Sequence, residues 1–320
     1  MKVLVTGSTG FLGREVVTCL NARNYSVRRL LRSKNNQFPD AVITATIGKG
    51  GDFRKAVMDC TAVIHCAARV HIMDDMSLNA LDDFREVNTF GTLELAQQAA
   101  DLGVKRFIFI SSIKVNGEST LLGKPFKSDD EFIPTDPYAL SKYEAEIGLR
   151  RIAAETGMEV VIIRPVLIYG PGVKANFATM MKWVYKGIPL PLGGIKENKR
   201  SLVSISNLVN LIITCLEHPR AANQTFLVSD DDDVSTTELL KNMAFALNVT
   251  SRLIVIPVVW VKLFARLIGK PSISQRLCGS LQVDISMTKE LLDWKPCYST
   301  AACMKAMADA FVEASKSAKL

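Results

Sequence analysis

KVLVTGSTGFLG, residues 2–13, decides the fold. An aliphatic, β-branched run stops at Gly7, Gly10 and Gly13 follow at three-residue spacing, and FLGREVVTCLNAR (11–23) then sets apolar residues at helical intervals. A strand therefore turns into a helix through a glycine-rich loop. Glycines at that junction let the backbone approach a pyrophosphate resting on the helix N-terminus, so Gly7, Thr9, Gly10, Phe11, Leu12 and Gly13 are candidate dinucleotide contacts.

Outward from this turn the pattern repeats. YSVRRLL (25–31), TAVIHCAA (61–68), RFIFISS (106–112), MEVVIIRPVLIYG (158–170) and QTFLVS (224–229) read as strands, with helical stretches such as DDFREVNTFGTLELAQQAADLG between them. Continuous apolar strands separated by helices predict an α/β, Rossmann-like doubly wound parallel sheet, covered on both faces. Its span is residues 1–170, with 201–229 returning to it. Past GPG (170–172) the regularity falls away, and 171–200 with 230–320 read as a smaller, mostly helical substrate lobe. Within that lobe Asp230 to Asp233 read as a solvated turn ahead of a capping box, Ser235 to Glu238. IPVVWVKLFARLIGK (256–270) sets Trp260, Phe264 and Leu267 on one helical face, with Lys262 and Arg266 elsewhere. That face is expected to pack into the lobe rather than lie on a bilayer.

Composition narrows the functions. Lys and Arg number 39 against 32 Asp and Glu, a net charge of +7 that suits a soluble basic protein or one with anionic small ligands. Absence of a Lys/Arg block interleaved with aromatics argues against nucleic acid. No apolar run reaches the ~18 residues of a membrane span, and no export signal is evident at the N-terminus, so a cytoplasmic location is expected. Cys19, Cys60, Cys66, Cys215, Cys278, Cys297 and Cys303 lack CxxC spacing, which speaks against a disulfide framework or zinc site. His65, His71 and His218 are too scattered for a metal centre, and none is expected.

Two further motifs bring chemistry. Asp136-Pro137 is a helix-start signature, and in the YALSK that follows, Tyr138 and Lys142 are four apart and share a helical face. An ammonium beside a phenol stabilises the phenolate, so such a pair can exchange a proton. SSIKVNG (111–117) supplies hydroxyls upstream.

TGSTGFLG, HCAAR, Asn88 in REVNTFGT, SS…VNG, YALSK, RPVLIYGPG and Arg200 in RSLVSI together resemble the extended short-chain dehydrogenase/reductases, of the NAD-dependent epimerase/dehydratase family, that act on nucleotide sugars. The resemblance runs over almost the whole chain. It implies NAD or NADP on the first lobe and a nucleoside diphosphate sugar, a UDP-sugar, on the second. Carried over by position, Ser112 bonds the reacting sugar oxygen, Tyr138 exchanges its proton, and Lys142 holds the cofactor ribose. Ala67, Ala68, Asn88 and Pro165 join the cofactor contacts, with Asp52-Phe53 at the adenine edge. Asn176, Arg200 and Arg276 are the matching sugar-nucleotide positions. Arg200 also suits the role chemically, because a planar guanidinium binds phosphate oxygens in pairs. A homodimer built on helices within 82–102 and 138–155 is implied as well.

The end of the second strand bears on cofactor choice. Leu31 stands where an acid would accept the ribose hydroxyls of NAD, and Arg32, Ser33 and Lys34 follow, a pattern that leans to NADP. Ile113 and Lys114 occupy the places of the Asp-Glu pair that eliminates water in the family's 4,6-dehydratases, so elimination is not expected. Hydride transfer at C4 remains. SSIKVNGE, ARVHIMDD and GSLQVDIS resemble bacterial UDP-sugar 4-ketoreductases that form UDP-N-acetylquinovosamine for surface polysaccharide, such as O-antigen and lipopolysaccharide. A UDP-hexose 4-epimerase is the alternative. A binding-only dinucleotide protein is the more distant one, since such relatives lose the tyrosine or the lysine.

Overall fold

The computed structural model describes residues 1–33, 37–38, 41–43, 47–70, 79–267, 269 and 271–317; the side chains of 175–176 and 271–273 are outside that description, and so are Lys34 and His71. The chain runs β1 (Lys2–Thr6), α1 (Phe11–Ala22), β2 (Ser26–Leu31), β3 (Val42–Ile43), α2 (Arg54–Val57), β4 (Ala62–His65), α3 (Ala80–Arg85), α4 (Gly91–Asp101), β5 (Arg106–Ile110), α5 (Pro137–Thr156) and β6 (Glu159–Pro165). Then come β7 (Leu167–Tyr169), α6 (Ala175–Tyr185), β8 (Leu202–Ser204), α7 (Ile205–Glu217), β9 (Thr225–Val228), α8 (Thr236–Ala246), α9 (Val258–Leu267), α10 (Pro271–Cys278), α11 (Ser286–Leu292) and α12 (Thr300–Ser317).

Among the described residues seven strands form one parallel sheet in the order β3-β2-β1-β4-β5-β6-β9. Strand order reverses between β1 and β4. At that switch point the carboxyl ends of neighbouring strands diverge and open a crevice, which is where ligands bind in such sheets.

Side chains alternate across the pleat, and the core divides accordingly. Val3, Val5, Ile64, Ile108 and Ile163 pack with α1 and α7 on one face, through Val16, Leu20, Leu208 and Ile212. Leu4, Val63, Phe107, Phe109 and Ile162 pack with α4 and α5 on the other, through Leu95, Ala99, Ala145 and Leu149. A third core joins Phe177, Met181, Leu240, Met243, Met304 and Met307 in the helical lobe. The Rossmann-like sheet with its helical lobe agrees with the reading of the sequence.

Three local expectations change. MEVVIIRPVLIYG is two strands: Pro165 ends the run in the main sheet, and β7 turns away to pair with β8. Proline carries no N–H, which suits a strand end. Asp230 is a buried acceptor instead of a solvated turn residue, receiving Tyr169 Oη at 2.7 Å, Ser204 N at 2.9 Å and Asn207 Nδ2 at 2.7 Å. Three donors converge on its carboxylate, which compensates its burial. Finally, α9 does not pack its large side chains inward; only Ala265 of that helix is buried. The capping box forms as expected, with Ser235 and Glu238 bonded both ways.

Candidate active site

The glycine turn is built by close approach. Gly7 sits at φ +63°, and a Cβ there would meet Ala67 N at 2.7 Å, so the ends of β1 and β4 nearly touch. A Cβ on Gly13 would lie 2.2 Å from Gly7 O. Gly10 donates its N–H to Gly7 O at 2.9 Å and occupies the N-cap of α1 without a capping side chain. No acid stands in the first turn, so the positive helix end is uncompensated there. Ser8 Oγ is buried with no hydrogen-bond partner among the described residues. An uncapped helix end, a cradle any Cβ would fill and an orphaned hydroxyl fit a dinucleotide pyrophosphate. Thr9, Phe11 and Leu12 lie in the same turn.

Behind the crevice a polar chain fixes the loop after β4. Ala67 N–H donates to Thr6 Oγ1 at 3.1 Å, Thr6 Oγ1 pairs with His65 Nδ1 at 2.7 Å, and His65 Nε2 pairs with Thr92 Oγ1 at 2.9 Å. Burial first, and then the Lys142 charge, push His65 down to about 3. The imidazole is therefore neutral and structural. Asn88, expected against the cofactor, turns inward. Its Oδ1 accepts Arg69 N at 2.8 Å, and its Nδ2 donates to Arg69 O at 3.0 Å and Ser141 Oγ at 3.1 Å. It thus braces the Ala67-Ala68 loop against α5. A π-helical turn over Glu86–Phe90 presents it, a local irregularity frequent at functional sites.

At the end of β2, where the sequence places the adenine ribose, Leu31 is buried while Arg32 and Ser33 are exposed beyond it. Asp52 is paired with Arg54 at 2.9 Å, whose hydrogen bond holds it down to about 2. Phe53 is a core ring with its backbone N–H given to Gln98 Oε1 at 2.7 Å, so its side chain offers no adenine contact.

Ser112, Tyr138 and Lys142 come together where the end of β5 meets the start of α5. Asp136 caps α5, its Oδ1 accepting Ala139 N at 2.9 Å, with Pro137 in the first turn. This start places Tyr138 in the first turn of α5, with the Ser112 hydroxyl near its phenol. Burial pushes the phenol up to about 12; the nearby Ser112 hydroxyl opposes the rise and the Asp136 charge adds to it. Lys142 Nζ donates to Ile110 O at 2.8 Å and lies 4.3 Å from the centre of the Phe109 ring. Burial lowers it to about 7, with Cys66 and Glu146 opposing. Its amine is thus held by the strand end and the ring.

One turn further along α5 stands a buried ion cluster that the motif reading missed. Glu146 takes Arg164 in two bonds of 2.9 and 2.6 Å and accepts Ser111 Oγ at 2.6 Å. Arg164 also donates to Asn116 Oδ1 at 3.0 Å. Ser111 is thus a support, joining β5 to α5. The signal was available in the spacing, because Tyr138, Lys142 and Glu146 are successive i, i+4 positions.

In the helical lobe, Arg200 Nη1 donates to the carbonyls of Arg276 at 2.9 Å and Gly279 at 3.3 Å. Burial lowers the pKa of its guanidinium. Arg276 enters this contact through its backbone, while its side chain is exposed. Asn176 belongs to α6, where its side chain is outside the described set. Pro165 is buried at the end of β6. Among the described residues no group of three His, Cys, Asp or Glu could hold a metal.

Residues 3–229 match the NAD dependent epimerase/dehydratase family. The chain belongs to that family. It is 53% identical to a Vibrio cholerae protein named UDP-glucose 4-epimerase, over 98% of this chain and 96% of that one. Among solved structures it resembles a short-chain dehydrogenase/reductase protein of Agrobacterium tumefaciens with bound NAD, at TM-score 0.79 and 20% identity over 100% and 99% of the two chains. It also resembles the UDP-glucose 4-epimerase of Thermotoga maritima with UDP-glucose, at TM-score 0.77 and 21% identity over 98% and 99%. This family member is an NAD(P)-dependent enzyme of the short-chain dehydrogenase/reductase type. Among the described residues no helix is long and apolar enough to cross a membrane.

Proposed function

We propose that the enzyme interconverts the C4 epimers of a UDP-hexose. The neighbouring hydroxyls of Ser112, after β5, and Tyr138, in the first turn of α5, carry this reading, because together they can hold a sugar hydroxyl and move its proton. The Vibrio cholerae relative supports epimerisation over net reduction. When bound, the dinucleotide supplies hydride exchange at C4. Ser112 holds the C4 oxygen, Tyr138 takes and returns its proton, and Lys142 reaches the ribose by leaving the Ile110 carbonyl. Arg200, oriented by the Arg276 and Gly279 carbonyls, meets the diphosphate, and the family pattern assigns Asn176 to the same ligand. Elimination lacks the Asp-Glu pair at its two positions: Ile113 is buried and apolar, and Lys114 is a cation.

A second reading is reduction of a UDP-4-keto-6-deoxy-hexosamine, forming UDP-N-acetylquinovosamine for surface polysaccharide. Leu31 and Arg32 favour it. No carboxylate at the β2 end repels a 2′-phosphate, which fits NADPH drawn from a reduced pool. Incubation with UDP-glucose, UDP-N-acetylglucosamine and the 4-keto-6-deoxy sugar, each with NADH or NADPH, separates the two. Epimer exchange by NMR without net cofactor consumption supports the first; stoichiometric consumption with the keto sugar alone replaces it with the second.

A homodimer across α4 and α5 is part of the proposal. The two helices pack side by side and leave Phe90 and Ile147 exposed, which supports an interface there.

A further inference from the structure

The large side chains of α9 face away from the fold. Val259 is 73% exposed, Trp260 61%, Leu263 43%, Phe264 65% and Leu267 77%. At 100° per residue these five share one arc of about 140°, while Val258, Val261 and Ala265 lie on the opposite side, toward the lobe. Exposed Ile254 and Val255 sit just ahead of the helix. Lys262 and Arg266 are exposed along one edge of the arc.

Charge is segregated to the same region. Between Leu239 and Val283 the chain has Lys241, Arg252, Lys262, Arg266, Lys270 and Arg276 and no Asp or Glu, so nearly all of the net +7 resides there. An apolar arc with a cationic edge is the pattern of a helix lying in the plane of a membrane interface, its large side chains among acyl chains and its cations at lipid phosphates. Tryptophan favours that depth as well. A second copy of the chain fits less well: in an antiparallel two-fold contact through this arc the same patch meets itself, bringing Lys262 and Arg266 toward their own copies.

We infer that α9 docks the enzyme on the surface of an anionic bilayer. Because α9 packs on α10, and Arg276 of α10 accepts from Arg200, the substrate lobe is the part that faces the lipid. The docking does not depend on which sugar the enzyme turns over.

The test floats the full-length protein with vesicles of phosphatidylcholine alone or mixed equally with phosphatidylglycerol. The expected result is co-flotation with the anionic vesicles only, and release in about 1 M salt, where the screening length falls to about 3 Å. Lys262→Ala and Arg266→Ala each weaken binding about fivefold. The Trp260→Ser/Phe264→Ser double variant stops floating while keeping the native melting temperature. The proposal is overturned if the native protein ignores anionic vesicles, if the double variant floats equally well, or if that variant lowers the solution mass, which would put a protein copy on the face.

Discussion

Lys114 stands 3.5 Å from Asp136, so a cation on the turn carrying Ser112 faces the residue that caps the Tyr138 helix. Glu118 holds the same ammonium at 2.8 Å. Ser112 Oγ accepts Lys114 N at 3.3 Å, so Ser112 and Lys114 share one short turn. Lys114 thereby ties the Ser112 turn to the start of the Tyr138 helix. The Asp136 charge raises the phenol, and the Lys114 cation lies against that carboxylate. Lys114→Met is therefore expected to move the Tyr138 titration to higher pH and to lower kcat more than it raises KM. Lys114→Arg should restore the profile. A pH-rate profile left in place with only thermal stability reduced would assign Lys114 a purely structural part.

Tyr138→Phe removes the hydroxyl proposed to exchange the sugar proton while keeping the ring against Phe84, whose centroid is 5.8 Å away. Turnover is expected to fall by about 10²- to 10⁴-fold with dinucleotide affinity preserved. Single-turnover hydride transfer and a cofactor titration check both halves. Turnover near the native rate would remove Tyr138 from the mechanism.

The sheet was legible because its signals are local: alternating apolar runs, a glycine turn at Gly7 and a helix start at Asp136-Pro137 each appear within a few residues. Tyr138 and Lys142 were legible for the same reason, through i, i+4 spacing. Arg164 was hidden, because its partner Glu146 is 18 residues away and their meeting depends on how β6 packs on α5. Asp230 misled for a related reason. Four consecutive acids look solvated until Tyr169 and Asn207 converge on the first of them from distant elements. The α9 face misled in the opposite direction, since an amphipathic pattern states which residues share a face and leaves open what covers it.

Gly13→Ala places a methyl 2.2 Å from Gly7 O, against backbone that cannot swing aside. The turn must open, and the pyrophosphate cradle with it. Dinucleotide affinity is expected to drop at least tenfold, in line with a strain of about 1–3 kcal/mol. Gly103→Ala serves as a control: it has a positive φ but open space around it, so it should affect stability alone. Isothermal titration of NAD against both variants checks the contrast, and equal losses would count against a local effect at the turn.

Glu146→Ala strips Arg164 of its two-bond partner at a place where both side chains are buried, and leaves Ser111 without its acceptor. An uncompensated buried guanidinium is expected to cost about 3–5 kcal/mol in urea unfolding. The double variant Glu146→Met/Arg164→Met should recover much of the loss, because no charge is then left alone. If the single and double variants are equally unstable, packing volume rather than charge pairing governs the cluster.

Lys142 gives the dinucleotide-free enzyme a pH signature whose sign is fixed. Burial lowers its pKa to about 7, against 10.5 for an ordinary lysine. Between these values the unfolded chain holds a proton that the folded chain has released, so this lysine makes stability rise with pH, by at most about 1.4 kcal/mol per unit. Below the window both states are charged and the whole cost of burying the ammonium is present; above it that cost is gone. Urea unfolding of the native protein and of Lys142→Met between pH 7 and 9 isolates the contribution. The native protein should gain stability relative to the variant across that range, whereas parallel curves would mean that the Ile110 carbonyl and the Phe109 face keep the ammonium charged as well as water does.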